Sequence, residues 1–231
     1  NTNILTPTHG SWVFLAQVVT DMVLKPDSPL KKTCGNCVRC IDDCPTGAIV
    51  APYVLDNKKC ISYLTIELRG VIPRELRSLM GDWIFGCDIC QDICPVNVDV
   101  EKSQVSGFHQ RHDFAAPDLI PLLDLDDAGF SKRFQNSAVK RTKRVGLQRN
   151  VCVALGNIGD SRAVPALIRT LSTAPSLVKQ HAAWALGRIG NNVAILGLSS
   201  ALSKEQNLEV CAEIKAALRE AKGTNIDEID E

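Results

Sequence analysis

The sequence predicts an α+β to mainly α protein, with a cysteine-bearing module first and a helical-repeat domain after it. Three observations carry this. Eight of the ten cysteines fall between Cys34 and Cys94 in two blocks of related spacing. The last third repeats itself, Leu155 and Leu186 marking a period of 31 residues. No apolar run approaches the roughly 20 residues needed to span a bilayer, so a protein without a membrane segment is expected.

Bulk composition adds little. The 231 residues carry 26 basic and 26 acidic side chains, and the zero net charge hides any local imbalance. Apolar content of 45% is ordinary for a globular chain, and aromatic content of 5% argues against an extended base-stacking platform.

Residues 1–33 open with Asn1-Thr2-Asn3-Ile4-Leu5, without a start or secretion signal. The apolar run Gly10 to Val19, rich in Val, Phe and Trp, reads as a strand. Pro26 and Pro29 break that pattern ahead of the first cysteine block.

That block is Cys34-Gly-Asn-Cys37-Val-Arg-Cys40-Ile-Asp-Asp-Cys44-Pro45, or C-x2-C-x2-C-x3-C-P. Bacterial-type ferredoxins hold iron-sulfur clusters with this run. A cubane cluster needs four thiolates, and C-x2-C-x2-C wraps three of them around it on one loop. The fourth comes from elsewhere, because x3 followed by Pro turns the chain away. Cys87-Asp-Ile-Cys90-Gln-Asp-Ile-Cys94-Pro95 repeats the ending without the first cysteine, and Cys60 can replace it. With the fourth cysteine of each run serving the other cluster, one set is Cys34, Cys37, Cys40 and Cys94. The other is Cys44, Cys60, Cys87 and Cys90, giving two 4Fe-4S clusters. The module is therefore expected to be bacterial ferredoxin-like and to extend over 34–105.

Zinc is the competing reading, since paired C-x2-C units also build zinc ribbons, but zinc has no use for interleaved C-x3-C-P endings. A disulfide framework conflicts with the reduced thiols of a cytoplasmic protein. Cys152 and Cys211 lie in apolar helical surroundings and read as core.

Between the blocks, Pro45 to Ile49 is expected to start a short helix ending near Ala51-Pro52. Cys60 to Arg69 is expected to form another, capped by Gly70. Pro73 to Met80 follows as a helix with Pro first and Gly81 after its end. Trp83 and Phe85 lead into the second block, where rings would shield a cluster from water.

Residues 106–148 form a connecting basic segment. His109 and His112 lie in an aperiodic stretch that reads as solvated loop, although histidines can ligate metal. Asp124-Leu125-Asp126-Asp127 should open a helix. Lys132, Arg133, Lys140, Arg141, Lys143, Arg144 and Arg149 then occur with no acidic residue among them. Such a stripe is either a solvated face or a partner for nucleic-acid phosphates.

In residues 149–222, Asn150 to Gly159 and His181 to Gly190 superpose, each followed by a second apolar segment, and a degraded third copy covers Val210 to Leu218. Paired amphipathic helices joined by Gly-containing turns describe HEAT-like α-helical repeats. Residues 223–231 form an acidic tail.

The order of parts, with the run Cys60-Ile61-Ser62-Tyr63-Leu64-Thr65-Ile66-Glu67, resembles the epoxyqueuosine reductase family, cobalamin-dependent oxidoreductases of queuosine synthesis. Gly10-Ser11-Trp12, Ser137 to Arg141 and Arg149-Asn150 extend the likeness over nearly the whole chain. The resemblance implies an iron-sulfur relay that reduces cobalamin, which removes the epoxide oxygen of epoxyqueuosine at the tRNA wobble position. It implies that Ser62 and the Cys87-Asp88 turn lie against the corrinoid, and that the Cys44, Cys60, Cys87 and Cys90 cluster is the nearer one. Arg69, Lys140, Arg141, Lys143 and Arg144 would meet tRNA phosphates. Family members carry an N-terminal part, ahead of the position matching Asn1, that supplies most of the corrinoid pocket and an aspartate proposed as proton donor. Residues 1–33 are thus expected to be a remnant of that domain and the chain an incomplete, cytoplasmic, monomeric enzyme fed by an external electron donor. No residue of this chain is assigned a catalytic role. The alternative function is a non-catalytic two-cluster electron carrier whose solenoid docks a protein. A corrinoid reductive dehalogenase shares the cofactor pairing but leaves the basic stripe and repeats without a role.

Overall fold

A computed structural model describes residues 3–30, 34–101, 103–108 and 116–223. The chain divides into two compact units that interleave in sequence: residues 1–60 with 88–112, and residues 61–87 with 113–231. The segments expected at 34–105 and 106–148 are distributed over both. Among the described residues no helix is long and apolar enough to cross a membrane.

The first unit is built from short elements. Helix α1 (Arg39–Asp42) is followed by a two-stranded antiparallel sheet, β1 (Ile49–Ala51) and β2 (Val54–Leu55), and helix α4 (Ile89–Asp92) comes from the second cysteine block. The hairpin stands where the sequence suggested a helix. Ile49 and Val50 favour extended backbone, and Tyr53 takes a positive φ of 64° at the turn. The run from Trp12 to Val19 is not a strand. An isolated bridge pairs Thr6 with Gly10, and Phe14, Leu15, Val18 and Val19 are exposed. β-Propensity alone makes no strand when no neighbouring backbone accepts its N–H groups. Phe14 stacks on Phe108 with ring centroids 5.4 Å apart.

The second unit holds helix α2 (Ile61–Ile66) and helix α3 (Arg74–Arg77), which continues as a 3-10 turn over Ser78–Met80. Helices α5 (Ile120–Leu123) and α6 (Asp127–Arg133) follow; Asp126 caps α6, its carboxylate accepting from the Gly129 N–H. Helix α2 ends at Ile66, short of Gly70, where Arg149 takes over its carbonyls. Trp83 packs on the core of this unit.

The repeats are helices α7 (Lys143–Ile158), α8 (Val164–Thr173), α9 (Ser176–Ile189), α10 (Asn192–Leu202) and α11 (Leu208–Lys222). Helix α9 packs between α7 and α11, so the first helix of each copy stacks on its counterpart. Each of these three ends on a left-handed glycine: Gly159 at φ 73°, Gly190 at 64° and Gly223 at 68°. Only glycine takes that turn without a Cβ penalty. A Cβ on Gly187 would lie 2.8 Å from the Cα and Cβ of Ala217, so glycine there lets α9 and α11 approach closely. Cys152 is buried in α7, where desolvation pushes its thiol pKa up, and Cys211 is half-buried on α11; neither lies in a cysteine block. The acidic tail beyond Gly223, together with His109 and His112, lies outside the described residues.

Candidate iron-sulfur and nucleic-acid sites

The two cysteine blocks fold alike, as their shared C-x3-C-P ending requires. In α1 the Asp43 N–H donates to Arg39 O at 3.0 Å; in α4 the Ile93 N–H donates to Ile89 O at 3.1 Å. Each helix is a single turn that stops before the cysteine-proline pair. This places Cys40 and Cys90 inside the turn, and Cys44 and Cys94 just past it. No disulfide forms among the ten cysteines.

Cys34, Cys37, Cys40 and Cys94 line one small cavity together with Asn3, Leu5, Arg39, Pro95 and Val96. These four thiols are the set that motif logic assigned to one cluster. The Tyr53 hydroxyl stands 3.8 Å from the Cys34 sulfur. Among the described residues no group of three His, Cys, Asp or Glu side chains is close enough to share a single metal ion. A cubane spreads its four thiolates around a body of four irons, so a sulfur-only donor set around a shared cavity fits such a cluster.

The remaining four cysteines are half-buried. Cys44 has the best-defined surroundings. Burial raises its pKa, but hydrogen bonds outweigh this and lower it: the Thr46 hydroxyl, and the backbone N–H groups of Ala48, Ile49 and Thr46. The Ala48 N–H lies 3.3 Å from the sulfur. N–H donors to sulfur favour the thiolate that binds iron, and they are among the features that set a cluster's potential. The Cys60 N–H donates to Asn57 O at 3.1 Å, and Cys87 packs on the core of the second unit.

Sequence reasoning assigned no role to the side chains that hold the α4 turn. Asn97 donates through Nδ2 to Ser11 Oγ at 2.8 Å and to Gln91 O at 2.7 Å, and Ser11 Oγ donates to Gln91 Oε1 at 2.9 Å. Asn3 Nδ2 donates to Cys90 O at 3.3 Å. Their signals in the sequence are Asn1-Thr2-Asn3 and Gly10-Ser11-Trp12, both part of the family likeness.

Of the residues linked to the corrinoid, Ser62 is half-buried on α2. Asp88 is exposed, and its carboxylate accepts from Gln91 Nε2 at 2.9 Å.

The basic segment divides into a surface group and a buried one. Arg69, Arg141 and Lys143 are exposed, and Lys140 and Arg144 half-exposed. Arg69 donates to Arg141 O at 2.8 Å and to Ile66 O at 2.9 Å, which fixes its guanidinium beside the turn before α7. Lys140 reaches Ser131 Oγ at 3.1 Å. Arg141 pairs with Glu67 at 2.7 Å, and Arg144 with Asp127 at 2.6 Å. The Arg144 guanidinium holds the exposed Asp127 carboxyl below its ordinary range. The stripe is therefore partly neutralised by acidic residues outside it, which reading the segment alone could not reveal.

Arg149 departs from the stripe altogether. It is fully buried and donates to Leu64 O at 2.7 Å, Leu68 O at 2.9 Å, Gly70 O at 2.8 Å and Asn150 Oδ1 at 2.9 Å. A cation whose five N–H groups meet carbonyls inside the core has no phosphate to offer them to; its role is structural.

Comparison with known proteins agrees with both parts. Residues 33–97 match the 4Fe-4S double cluster binding domain family, and residues 138–219 match the HEAT repeats family. The epoxyqueuosine reductase of Shewanella oneidensis is 42% identical over 188 residues, 80% of this chain and 48% of that protein. An uncharacterized protein from the gldA 3' region of Geobacillus stearothermophilus is 38% identical, covering 89% of this chain and 95% of that one. A crystal structure of epoxyqueuosine reductase with an epoxyqueuosine-modified tRNA-Tyr stem loop superposes with a TM-score of 0.91 at 35% identity, over 95% of this chain and 59% of that one. The chain spans about half the length of the curated reductases it matches.

Proposed function

Since the chain belongs to the epoxyqueuosine reductase family, we propose that it is the iron-sulfur and tRNA-binding part of an oxidoreductase that converts epoxyqueuosine to queuosine in tRNA. The observation that carries this reading is the cavity lined by Cys34, Cys37, Cys40 and Cys94; the same chain carries a HEAT-like domain with a basic surface. In this reading those four thiolates hold one 4Fe-4S cluster, and Cys44, Cys60, Cys87 and Cys90 hold the other. Such clusters supply single-electron transfer when bound, with potentials set by burial and by hydrogen bonds to the sulfurs. Cys44 receives such bonds from Thr46 and Ala48. Cobalamin would supply the reduction chemistry, with Ser62 and the Cys87-Asp88 turn against it and most of its pocket formed by residues other than these. An external electron donor completes the circuit.

Arg69, Lys140, Arg141, Lys143 and Arg144 would meet tRNA phosphates, a contact that positions the nucleic acid without reading its sequence. What supports it is their shared surface around the start of α7, with Arg69 and Arg141 joined by a hydrogen bond. The family likeness to a structure holding a tRNA stem loop agrees with it.

The direct test of the clusters is iron and acid-labile sulfide on anaerobically purified protein, where two cubanes require about eight of each. For the activity, full-length protein supplied with cobalamin and a reductant converts epoxyqueuosine-tRNA to queuosine-tRNA; intact clusters without conversion would overturn the assignment. Reversing the charge of Lys140, Arg141, Lys143 and Arg144 separates this reading from an electron carrier that docks a protein. Each lost phosphate contact lowers the salt slope of tRNA binding by about 0.7–0.9. An unchanged affinity and slope would favour the carrier.

A further inference from the structure

Thr65 is fully buried on α2, and its hydroxyl makes three hydrogen bonds, one of them a longer contact to Ser62 O at 3.3 Å. It donates to the carbonyl of Ile61 at 2.7 Å and accepts from the N–H of Gly86 at 3.0 Å. Ile61 is the residue after Cys60, and Gly86 is the residue before Cys87. A single oxygen thus ties together the residues next to two cysteines that lie 27 positions apart in sequence.

The surroundings reinforce this join. Asn150 Nδ2 donates to Thr65 O at 2.8 Å and to Ile84 O at 2.9 Å, a second bridge between the same two segments. Thr142 Oγ1 adds a third donor to Thr65 O at 3.0 Å. Gly86 has a φ of 75°, a turn that delivers the chain to Cys87 and that other residues adopt at a cost. Every one of these groups is internal to the second unit. A backbone N–H beside a ligand, satisfied by a buried hydroxyl, is how outer groups orient the residues that bind a metal.

We propose that Thr65 is a positioning residue for the cluster assigned to Cys44, Cys60, Cys87 and Cys90, with Asn150 as its support. Its hydroxyl fixes the backbone on the inner side of Cys60 and Cys87, and so sets where those two sulfurs are presented. The proposal rests on the two-cluster reading above and deepens it. It also explains why Asn150, inside a HEAT-like helix, carries a polar side chain turned into the core.

The test compares Thr65→Val with Thr65→Ser in the cluster-loaded full chain. Valine keeps the size and removes the hydroxyl's hydrogen bonds; serine keeps them. Iron release to a chelator, electron paramagnetic resonance of the reduced protein and its redox titration are the readouts, with the melting temperature recorded separately. Thr65→Val is expected to release half of its iron about 10–100-fold faster than wild type and to change the signal and potential of one cluster, leaving the other as it was. Thr65→Ser restores wild-type behaviour. Should Thr65→Val fail to fold, Asn150→Ala, which spares the hydroxyl and removes the second bridge, is expected to change the same cluster to a smaller degree. The proposal is overturned if folded Thr65→Val, or Asn150→Ala in its place, keeps wild-type release, signal and potential at both clusters. A wild-type chain that assembles no clusters overturns the two-cluster reading instead.

Discussion

Replacing Arg149 by methionine tests how the second unit is held together. The guanidinium meets four acceptors inside the core: the carbonyls of Leu64, Leu68 and Gly70, and Asn150 Oδ1. Hydrogen bonds to a charged donor contribute about 1.5–3 kcal/mol each, so the four together are worth about 6–12 kcal/mol. Against this stands the cost of the buried charge. Desolvation, with a smaller contribution from the charge of Arg69, pushes Arg149 down to about 10 from an ordinary 12.5. At about 1.4 kcal/mol per pH unit that costs about 3 kcal/mol. Arg149→Met removes both terms and leaves three backbone carbonyls without their donor. A loss of about 3–5 kcal/mol is expected, comparable to breaking other buried ionic networks. For a chain of this size it lowers the melting temperature by about 6–20 °C. Urea unfolding followed by circular dichroism measures it. The loss should be equal at pH 6 and pH 8, because Arg149 stays charged at both. Stability within about 0.5 kcal/mol of wild type, the range of ordinary surface substitutions, would refute the reasoning.

His181 is buried, and its Nε2 accepts from the Ile72 N–H at 3.2 Å. Burial first, and then the charge of Arg77, hold its pKa well below 6.5. The unfolded chain therefore binds the proton more readily, and stability falls as pH drops below 6.5, by up to about 1.4 kcal/mol per unit. His181→Gln should flatten that acid limb in urea titrations, and an unchanged limb would sink the assignment. Gly187→Ala gains under 1 kcal/mol of helix propensity, yet its methyl meets Ala217. A net loss of about 1–3 kcal/mol is expected, and a thermal melt showing stabilisation would mean that α9 and α11 can separate freely. Asp127→Asn breaks only an exposed pair with Arg144, so stability should change by under about 1 kcal/mol. It should tighten tRNA binding by freeing a cation, and weaker binding in a filter assay would count against Arg144 as a phosphate contact.

Cysteine spacing made half of the candidate site legible, because C-x2-C-x2-C-x3-C-P is a local geometric constraint written in consecutive residues. Cys34, Cys37, Cys40 and Cys94 accordingly border one cavity. The repeats were legible for the same reason: Gly159 and Gly190 recur at a fixed interval, and each caps a helix. What failed was anything depending on distant partners. Residues 10–19 have strand-like composition without a strand to pair with among the described residues. Ile49 to Ala51 went into a hairpin because the backbone there pairs with Val54 and Leu55. Arg149 looked like one more cation of a surface stripe, since nothing local says that three carbonyls from residues 64–70 will surround it. Thr65 and Asn150 were quoted as parts of a likeness and given no role, for the same reason.

The interleaving of the two units bears on how the molecule can be dissected. The polypeptide passes from one unit to the other near residues 60, 87 and 112. A truncation placed after residue 112 would strand residues 61–87 without Thr142, Arg149 and Asn150, which tie that stretch down. A stop codon ahead of the repeats is therefore expected to yield an insoluble or protease-sensitive product rather than a miniature ferredoxin. The cysteine-bearing unit is therefore no contiguous cassette: residues 1–60 and 88–112 are separated by a stretch that belongs with the repeats.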